Sequence, residues 1–553
     1  MKRTNLFLFC ILLICSQILA DGPNVEFRTY DEGSLYLTIS NMGFFGSQRG
    51  NDNPYKCIRY DSGPWAGTCR PSAEYPGESG IEHLFQGAFW IGGVVVGDTL
   101  VSVGEDGWFN NINELFPGYD STDKRNNIQE FSTDSGDAEA LANQTFWTFY
   151  TDTVINPDYI EPGHKPMGIE VFQKSHQWAD SSYGNFVIFE VEIKNISSHN
   201  IEDIFFGIYI DGDIGHIDSP NYCQDDITGY IGEWTNTSVS PPENIPVNVG
   251  WIADNDGDPE GDSVFGEYSC PAALGVVVLG CFSESNPNYN WWVSHTNESS
   301  GGILDHDWGP YQTTHNYGWD GTPENDKCKY ELLSCDEIDF DQNRTLEYRD
   351  SSDWIVPNDT LWLKDLADGY DTRFLFSFGP FDLSPDGSVE FAFAVIAVPG
   401  FHTIGGGYNY DAVAEEAIKV KEFYCDLVGI GEAPIHRPIL DLQVYPNPFN
   451  STVRISLDYG SESAEPLSAS PPGACRVEIF DINGRMVYAP SPSVPLPMGE
   501  GGKTLLPPGE GGSKSRMRAF IWTPDESLPS GVYLVRATMR GDLAVIKRVV
   551  YLK

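Results

Sequence analysis

Apolar and polar positions alternate along this chain mostly in short runs. Phe186 to Ile193 reads Phe-Val-Ile-Phe-Glu-Val-Glu-Ile: four apolar residues, then strict alternation, the period of a strand with one face in a core. Ile204 to Ile210 follows after the polar stretch Ser197–Asn200, and the two read as a hairpin with buried faces. Leu274–Leu279 and Val389–Val398 are further strands, the second with two apolar sets and so buried on both sides. One segment has helical spacing: between Asp411 and Leu427, Val413, Ala417, Val420 and Tyr424 recur every three or four residues, and Gly429 and Gly431 stop it. Gly, Pro, Asn and Asp punctuate the rest. The expected fold is mainly β: a large β-rich, sandwich-like N-terminal body with one helix near its end, in one or two subdomains, and a small C-terminal β-sandwich.

The chain has 553 residues, too many for one ordinary core. Lys2-Arg3, the apolar run Leu6–Ile14 and Ala20 have the form of a signal peptide over residues 1–20. The run is too short to span a membrane, and no later stretch is apolar enough to do so. The body then covers 21–429. Residues 430–442, with Gly431, Pro434 and Pro438 and no periodicity, read as a linker to a tail domain at 443–553. Within the tail, 489–516 is dense in Pro, Gly and Ser and reads as a disordered insertion. In the tail Val453, Ile455 and Leu457 alternate with polar residues. Asn483-Gly484 is a hairpin turn, and about seven strands fit the length, as in an immunoglobulin-like sandwich.

Charge sharpens the functional reading. The formal net charge is −47, but residues 475–553 carry 11 basic and 7 acidic side chains, so the acid lies in the body. Such a body repels phosphate backbones, which excludes nucleic acid as a partner. It suits an exterior protein or one that binds divalent cations. Asp211 and Asp213 flank Gly212 at a strand end, and Asp225 and Asp226 follow closely. These four read either as one calcium site or as solvated acidic turns. Asp254, Asp256 and Asp258, in the rhythm Asp-x-Asp-x-Asp, form a second such group, without the Gly and flanking helices of an EF-hand. Cysteine spacing excludes zinc knuckles. In an exported chain it points instead to local disulfides Cys57–Cys69, Cys270–Cys281 and Cys328–Cys335. His295, His306 and His315 lie among Trp291, Trp292, Trp308 and Trp319, an aromatic group that would take a surface polysaccharide if exposed. No nucleophile elbow, zinc-protease, phosphate-loop or dinucleotide motif is present. Two readings of the body remain: a structural or binding protein, and a secreted hydrolase whose paired carboxylates are scattered along the chain.

The tail carries more specific residues. Val444-Tyr445-Pro446-Asn447-Pro448-Phe449-Asn450 opens it, and Val477 to Val487 contains Asn483, Gly484 and Arg485. Leu528 to Arg536 contains Gly531, Val532 and Tyr533, and the last block is Lys547 to Lys553. Together these resemble the type IX secretion system C-terminal sorting domain, related to FlgD-like immunoglobulin-like tails. The resemblance implies export by a signal peptide, then passage across the outer membrane by recognition of the tail by the secretion machinery. The mature protein would be extracellular or attached to the cell surface. More loosely, the body resembles the large N-terminal regions that often carry such tails, through Ile39–Gly46, Tyr75–Gly77, Gly87–Gly93 and Phe378–Leu383.

Overall fold

The computed structural model describes residues 23–553 except 50–56, 65, 108–112, 119–122, 155–163, 221, 238–241, 261–263, 280–285, 295–306, 313–320, 352–353, 429–438, 446–449, 461–475, 482–484, 489–515, 525–527 and 539–543. The expected signal peptide, most of the linker and most of the tail insertion therefore lie outside the described residues. The chain divides into two units, Met1–Ala433 and Pro434–Lys553.

The body is one unit built on two large antiparallel sheets. In the eleven-stranded sheet, Gln86–Val95, Ile201–Asp211 and Thr372–Leu383 are consecutive neighbours, with Asn286–Val293 at one edge. The eight-stranded sheet runs in the order Asp226–Asn236, Glu243–Asp254, Ala273–Val278, Ser388–Val398, Phe186–Asn195, Ile169–Gln177, Gln144–Thr151, Gln129–Phe131. The two pack face to face through phenylalanines. Phe89 and Phe206 come from the first sheet, Phe189, Phe391 and Phe393 from the second. Phe206 and Phe391 lie 4.1 Å apart between ring centroids, Phe89 and Phe393 5.6 Å.

Each sheet also buries part of its outer face. Helix α1 (Asp326–Ser334) covers Ala88, Trp90, Tyr209 and Leu375 with Cys328, Leu332 and Leu333. Helix α3 (Tyr410–Leu427) covers Ile188, Trp251, Ala394 and Ile396 with Val413, Ala417 and Val420. Its start is capped by the Asn409 side chain, which accepts from the Ala412 amide. This four-layer arrangement explains why Val389–Val398 has two apolar faces: one meets the opposite sheet, the other α3.

Three expectations are corrected. Phe186–Asn195 and Ile201–Asp211 are not a hairpin. The first pairs with Ser388–Val398 and Ile169–Gln177, the second with Gln86–Val95 and Thr372–Leu383, so the chain crosses from one sheet to the other. Asn195 shapes the crossing: its Nδ2 donates to the His199 and Leu383 carbonyls at 2.8 and 2.9 Å, and its Oδ1 accepts from the Ser197 amide at 2.9 Å. Second, α3 is not alone. The short helices α1 and α2 (Thr360–Ala367) are capped by Asn325 and Asp359. Third, Cys57 and Cys69 are bonded, with Cα atoms 5.6 Å apart, but Cys328 and Cys335 are not bonded to each other. Cys328 lies in the first turn of α1 and Cys335 caps its end. Seven residues of helix rise about 10 Å, beyond disulfide reach. Cys270 is a buried free thiol facing carboxylates, and Cys281 lies outside the described residues.

Among the described residues the tail has seven strands: Ile439–Tyr445, Val453–Gly460, Arg476–Asp481, Met486–Tyr488, Arg516–Trp522, Gly531–Thr538 and Ala544–Tyr551. In chain order they form sheets 1-2-5 and 4-3-6-7, all antiparallel. The end of the expected linker, from Ile439, is already a strand, held by pairing with Val453–Gly460. Arg516, expected to close the insertion, opens another.

Candidate functional site: the acidic junction of the body and the tail motif

Asp226 opens one strand and Asp254 closes its neighbour, and the two are register partners. Asp225 precedes the first. After Asp254 the chain turns through Gly257 and Asp258, both at positive φ (79° and 51°). The Asp254 carboxylate organises that turn: Oδ1 accepts from the Asp256 amide at 2.9 Å and from the Gly257 amide. Asp256 Oδ1 accepts from the Asp258 amide at 2.9 Å, and the Cys270 amide donates to the Gly257 carbonyl at 3.0 Å. His402, kept neutral because burial lowers its pKa to about 4, donates from Nε2 to the Asp254 carbonyl at 2.9 Å. One carboxylate oxygen each from Asp254 and Asp258 and the Cys270 sulfur lie within 4.8 Å of one another.

These acids are expensive as anions. Asp226 and Asp254 are fully buried. Burial raises the pKa of Asp226, and so do the charges of Asp225, Asp213 and Asp254. Burial, then Asp225 and Asp258, raises Asp254, and burial followed by Asp256 raises Asp258. Asp225 is pushed to about 7 by burial, then by Asp258 and Asp256. Burial and the surrounding acids keep the Cys270 thiol protonated. Two unit charges at 4.8 Å repel by roughly 3 kcal/mol at an effective dielectric of about 20. Among the described residues no Lys, Arg or His forms an ion pair with Asp225, Asp226, Asp254, Asp256 or Asp258.

Asp211 and Asp213, expected to join Asp225 and Asp226, lie in a different environment. Asp211 Oδ1 pairs with Arg373 Nε at 3.0 Å, and Arg373 Nη1 reaches Asp371 at 3.1 Å. Asp213 is buried beside the same groups, and burial, then Asp371 and Asp211, raises its pKa. The strand pairing thus regroups the seven expected ligands: Asp225, Asp226, Asp254, Asp256 and Asp258 gather at one junction, and Asp211 is matched by an arginine. Sequence reading assigned Cys270 to a disulfide and missed His402 and Arg373. The detectable signal was the hairpin Asp226–Asn236/Glu243–Asp254, which has Asp at both open ends.

Among the described residues the aromatic group is core packing rather than a ligand surface. Trp291 and Trp292 are fully buried and Trp308 is 6% exposed; Trp291 packs on Trp308 and Trp292 on Trp90. Trp319, His295, His306 and His315 lie outside the described residues. A groove of about 420 Å³ exists elsewhere, on the eight-stranded sheet beside the end of α3, lined by Phe172, Lys174, Glu190, Glu192, Glu390 and Tyr424 among others. Glu192 and Glu390 are direct cross-strand partners, a like-charge pairing that opposes sheet stability. Glu190 is held by His176 Nε2 at 3.2 Å and the Tyr424 hydroxyl at 3.0 Å. Burial pushes its pKa up, but these contacts hold it below the usual range.

In the tail, Tyr445 ends the first strand opposite Arg454, and Asn450 and Arg485 are exposed. Pro446, Asn447, Pro448, Phe449, Asn483 and Gly484 lie outside the described residues. Gly531, Val532 and Tyr533 open the sixth strand, opposite Tyr551, Val550 and Val549. Lys547 is in register with Val535, and the Lys553 amide donates to Ser530 Oγ at 2.7 Å. Tyr533 is buried against Trp522, with ring centroids 5.4 Å apart, and its hydroxyl donates to the Pro529 carbonyl at 2.7 Å.

Residues 443–495 match the family model described as "Secretion system C-terminal sorting domain". The tail is a type IX sorting domain. A sorting domain indicates a protein that is secreted and lies at the outer membrane or cell surface, and it implies contact with the type IX secretion machinery. Among the described residues no helix is long and apolar enough to cross a membrane. No curated protein matches the chain. Among solved structures, a polysaccharide lyase is 10% identical, with 97% of this chain and 47% of that one covered and a TM-score of 0.22. The N-terminal domain of a Streptococcus gordonii adhesin is 9% identical, with 84% and 92% covered and a TM-score of 0.14. The chain spans about half the length of the lyase, and neither likeness is close enough to carry an argument.

Proposed function

We propose that this is a non-catalytic surface protein, in which the body is a structural or binding scaffold and the sorting domain is the address that delivers and anchors it. The match over residues 443–495 carries this reading. The tail's fold supports it: seven strands ordered 1-2-5 and 4-3-6-7, with the Tyr533 hydroxyl bonded back four residues at the start of the sixth, are the features of an immunoglobulin-like sandwich with a tyrosine corner. The test is a transplant. Residues 434–553 fused behind a signal peptide and a soluble reporter should bring the reporter to the cell surface, and the native chain cut after Ala433 should not arrive there. A reporter left in the periplasm would refute the address.

The groove supports a second reading, in which the body takes a glycan as binder or hydrolase. Its observation is the Glu192–Glu390 pair beside Phe172 and Tyr424. Glu390 is exposed, and a site open to water lacks the solvent exclusion that glycoside cleavage uses, so binding is favoured over hydrolysis. Polysaccharide pull-down and reducing-end release, each repeated with Glu192→Gln, separate the two; failure of both removes the glycan.

A further inference from the structure

We propose that the junction of Asp225, Asp226, Asp254 and Asp258 is a calcium site that locks the Asp226–Asn236/Glu243–Asp254 hairpin to the turn at Gly257–Asp258. The cluster of acids would not carry this alone. The second observation is Asp254 Oδ2, fully enclosed and without a hydrogen-bond partner, while Oδ1 of the same carboxylate is occupied by two amides. The same carboxylate supplies one oxygen to a group of donor atoms, from Asp254, Asp258 and Cys270, that lie within 4.8 Å of one another. This spacing lets donors about 2.4 Å from a central ion converge, within the calcium range. Asp226 offers oxygens too, since its only contacts there are long ones from the Ile214 amide, at 3.3 and 3.4 Å.

The donor chemistry selects the ion. Calcium takes six to eight oxygens and tolerates irregular geometry, and four carboxylates with turn carbonyls supply that number. A thiophilic ion would need Cys270 as thiolate, and the acids around it oppose that charge. With calcium bound, Cys270 remains a thiol. The proposal goes beyond the export role and does not depend on it.

The test uses the full-length protein stripped with EDTA. Calorimetric titration with calcium chloride at matched ionic strength should give one saturable event. Affinity should fall by about tenfold or more in Asp254→Asn and in Asp258→Asn. Asn keeps an acceptor for the amides and tolerates the positive φ of position 258. Millimolar calcium should raise the unfolding midpoint of the body by several degrees, and magnesium at the same concentration should not. In EDTA, Asp254→Asn should unfold at or above the wild-type temperature, because it removes repulsion. Absence of binding heat with equal midpoints in calcium and EDTA would overturn the proposal. So would a lower Asp254→Asn midpoint in EDTA with calcium affinity unchanged, which would leave Asp254 a backbone cap. A cadmium–sulfur charge-transfer band abolished by Cys270→Ser, with no response to calcium, would overturn it in favour of a thiolate site.

Discussion

Two groups of buried and half-buried acids in the body have different electrostatic designs. Asp211, Asp213 and Asp371 surround Arg373, which is 4% exposed and bridges two of them. Asp225, Asp226, Asp254 and Asp258 surround nothing charged positive among the described residues. Both sets lie at strand ends, and Asp213 is close enough to Asp226 to raise its pKa. In the first group Arg373 compensates Asp211 and Asp371 and leaves Asp213, whose pKa burial and the two neighbouring acids raise, so its value is structural. The second leaves a charge deficit that only protons or an added cation can fill. Similar composition, then, does not mean similar function; the local presence of a guanidinium decides.

The largest expected effect breaks the compensated side. Arg373→Met leaves the buried Asp211 and the half-buried Asp371 unmatched, and should destabilise the body by about 3–5 kcal/mol, read from denaturant unfolding. The variant should also become more sensitive to rising pH. Unchanged stability would show that the two groups do not differ as described.

The next effect concerns pH on the uncompensated side, in EDTA. Asp225 has a folded pKa of about 7 against an unfolded value of about 3.9. Because the folded state holds the proton more tightly, the penalty is absent below about pH 4, grows through the window from about 4 to 7, and is complete above it. Stability should therefore fall as pH rises through that window, by about 2–4 kcal/mol from this group. Asp225→Asn should remove that part of the slope. Calcium should flatten or reverse it, since the ion requires deprotonated ligands.

Cys57→Ser probes a part of the body remote in kind from either acid group. Opening a loop of 12 residues should cost about 2–3 kcal/mol without altering the pH slope or the calcium response. A changed slope would mean that the acid groups report general loosening of the body. The smallest effect is in the tail. Tyr533→Phe removes one hydrogen bond and should lower tail stability by about 1 kcal/mol, followed by hydrogen exchange at the Trp522 and Val535 amides, with the calcium response of the body untouched.

The tail was the more legible unit because its signals are local. Tyr445 to Asn450, Asn483-Gly484 and Gly531 to Tyr533 lie in contiguous blocks, and strands such as Val453–Leu457 announce themselves by alternation. In the body the β class, the two-sided burial of Val389–Val398 and the helix from Asp411 were readable for the same reason. The short helices α1 and α2 were not, since eight or nine residues give too few turns for a stripe to stand out. The candidate site was half legible: its Asp residues were visible as runs, but their grouping was not.

By itself the amino-acid sequence determined what depends on neighbours a few residues away: strand and helix periods, the tail motif, the helix end at Leu427 and the acid-rich turns. Tertiary structure alone decided which strands pair. An apolar strand buried on both faces reads identically whether its successor returns beside it or crosses to another sheet, so Phe186–Asn195 and Ile201–Asp211 carried no mark of their separation. Hairpin register brought Asp226 opposite Asp254, the turn after it set Cys270 against Asp258, and long-range strand pairing placed Arg373 beside Asp211. Charge compensation is a property of distances in space, and the one that matches Asp211 with Arg373 follows from sheet pairing across more than a hundred residues rather than from local pattern.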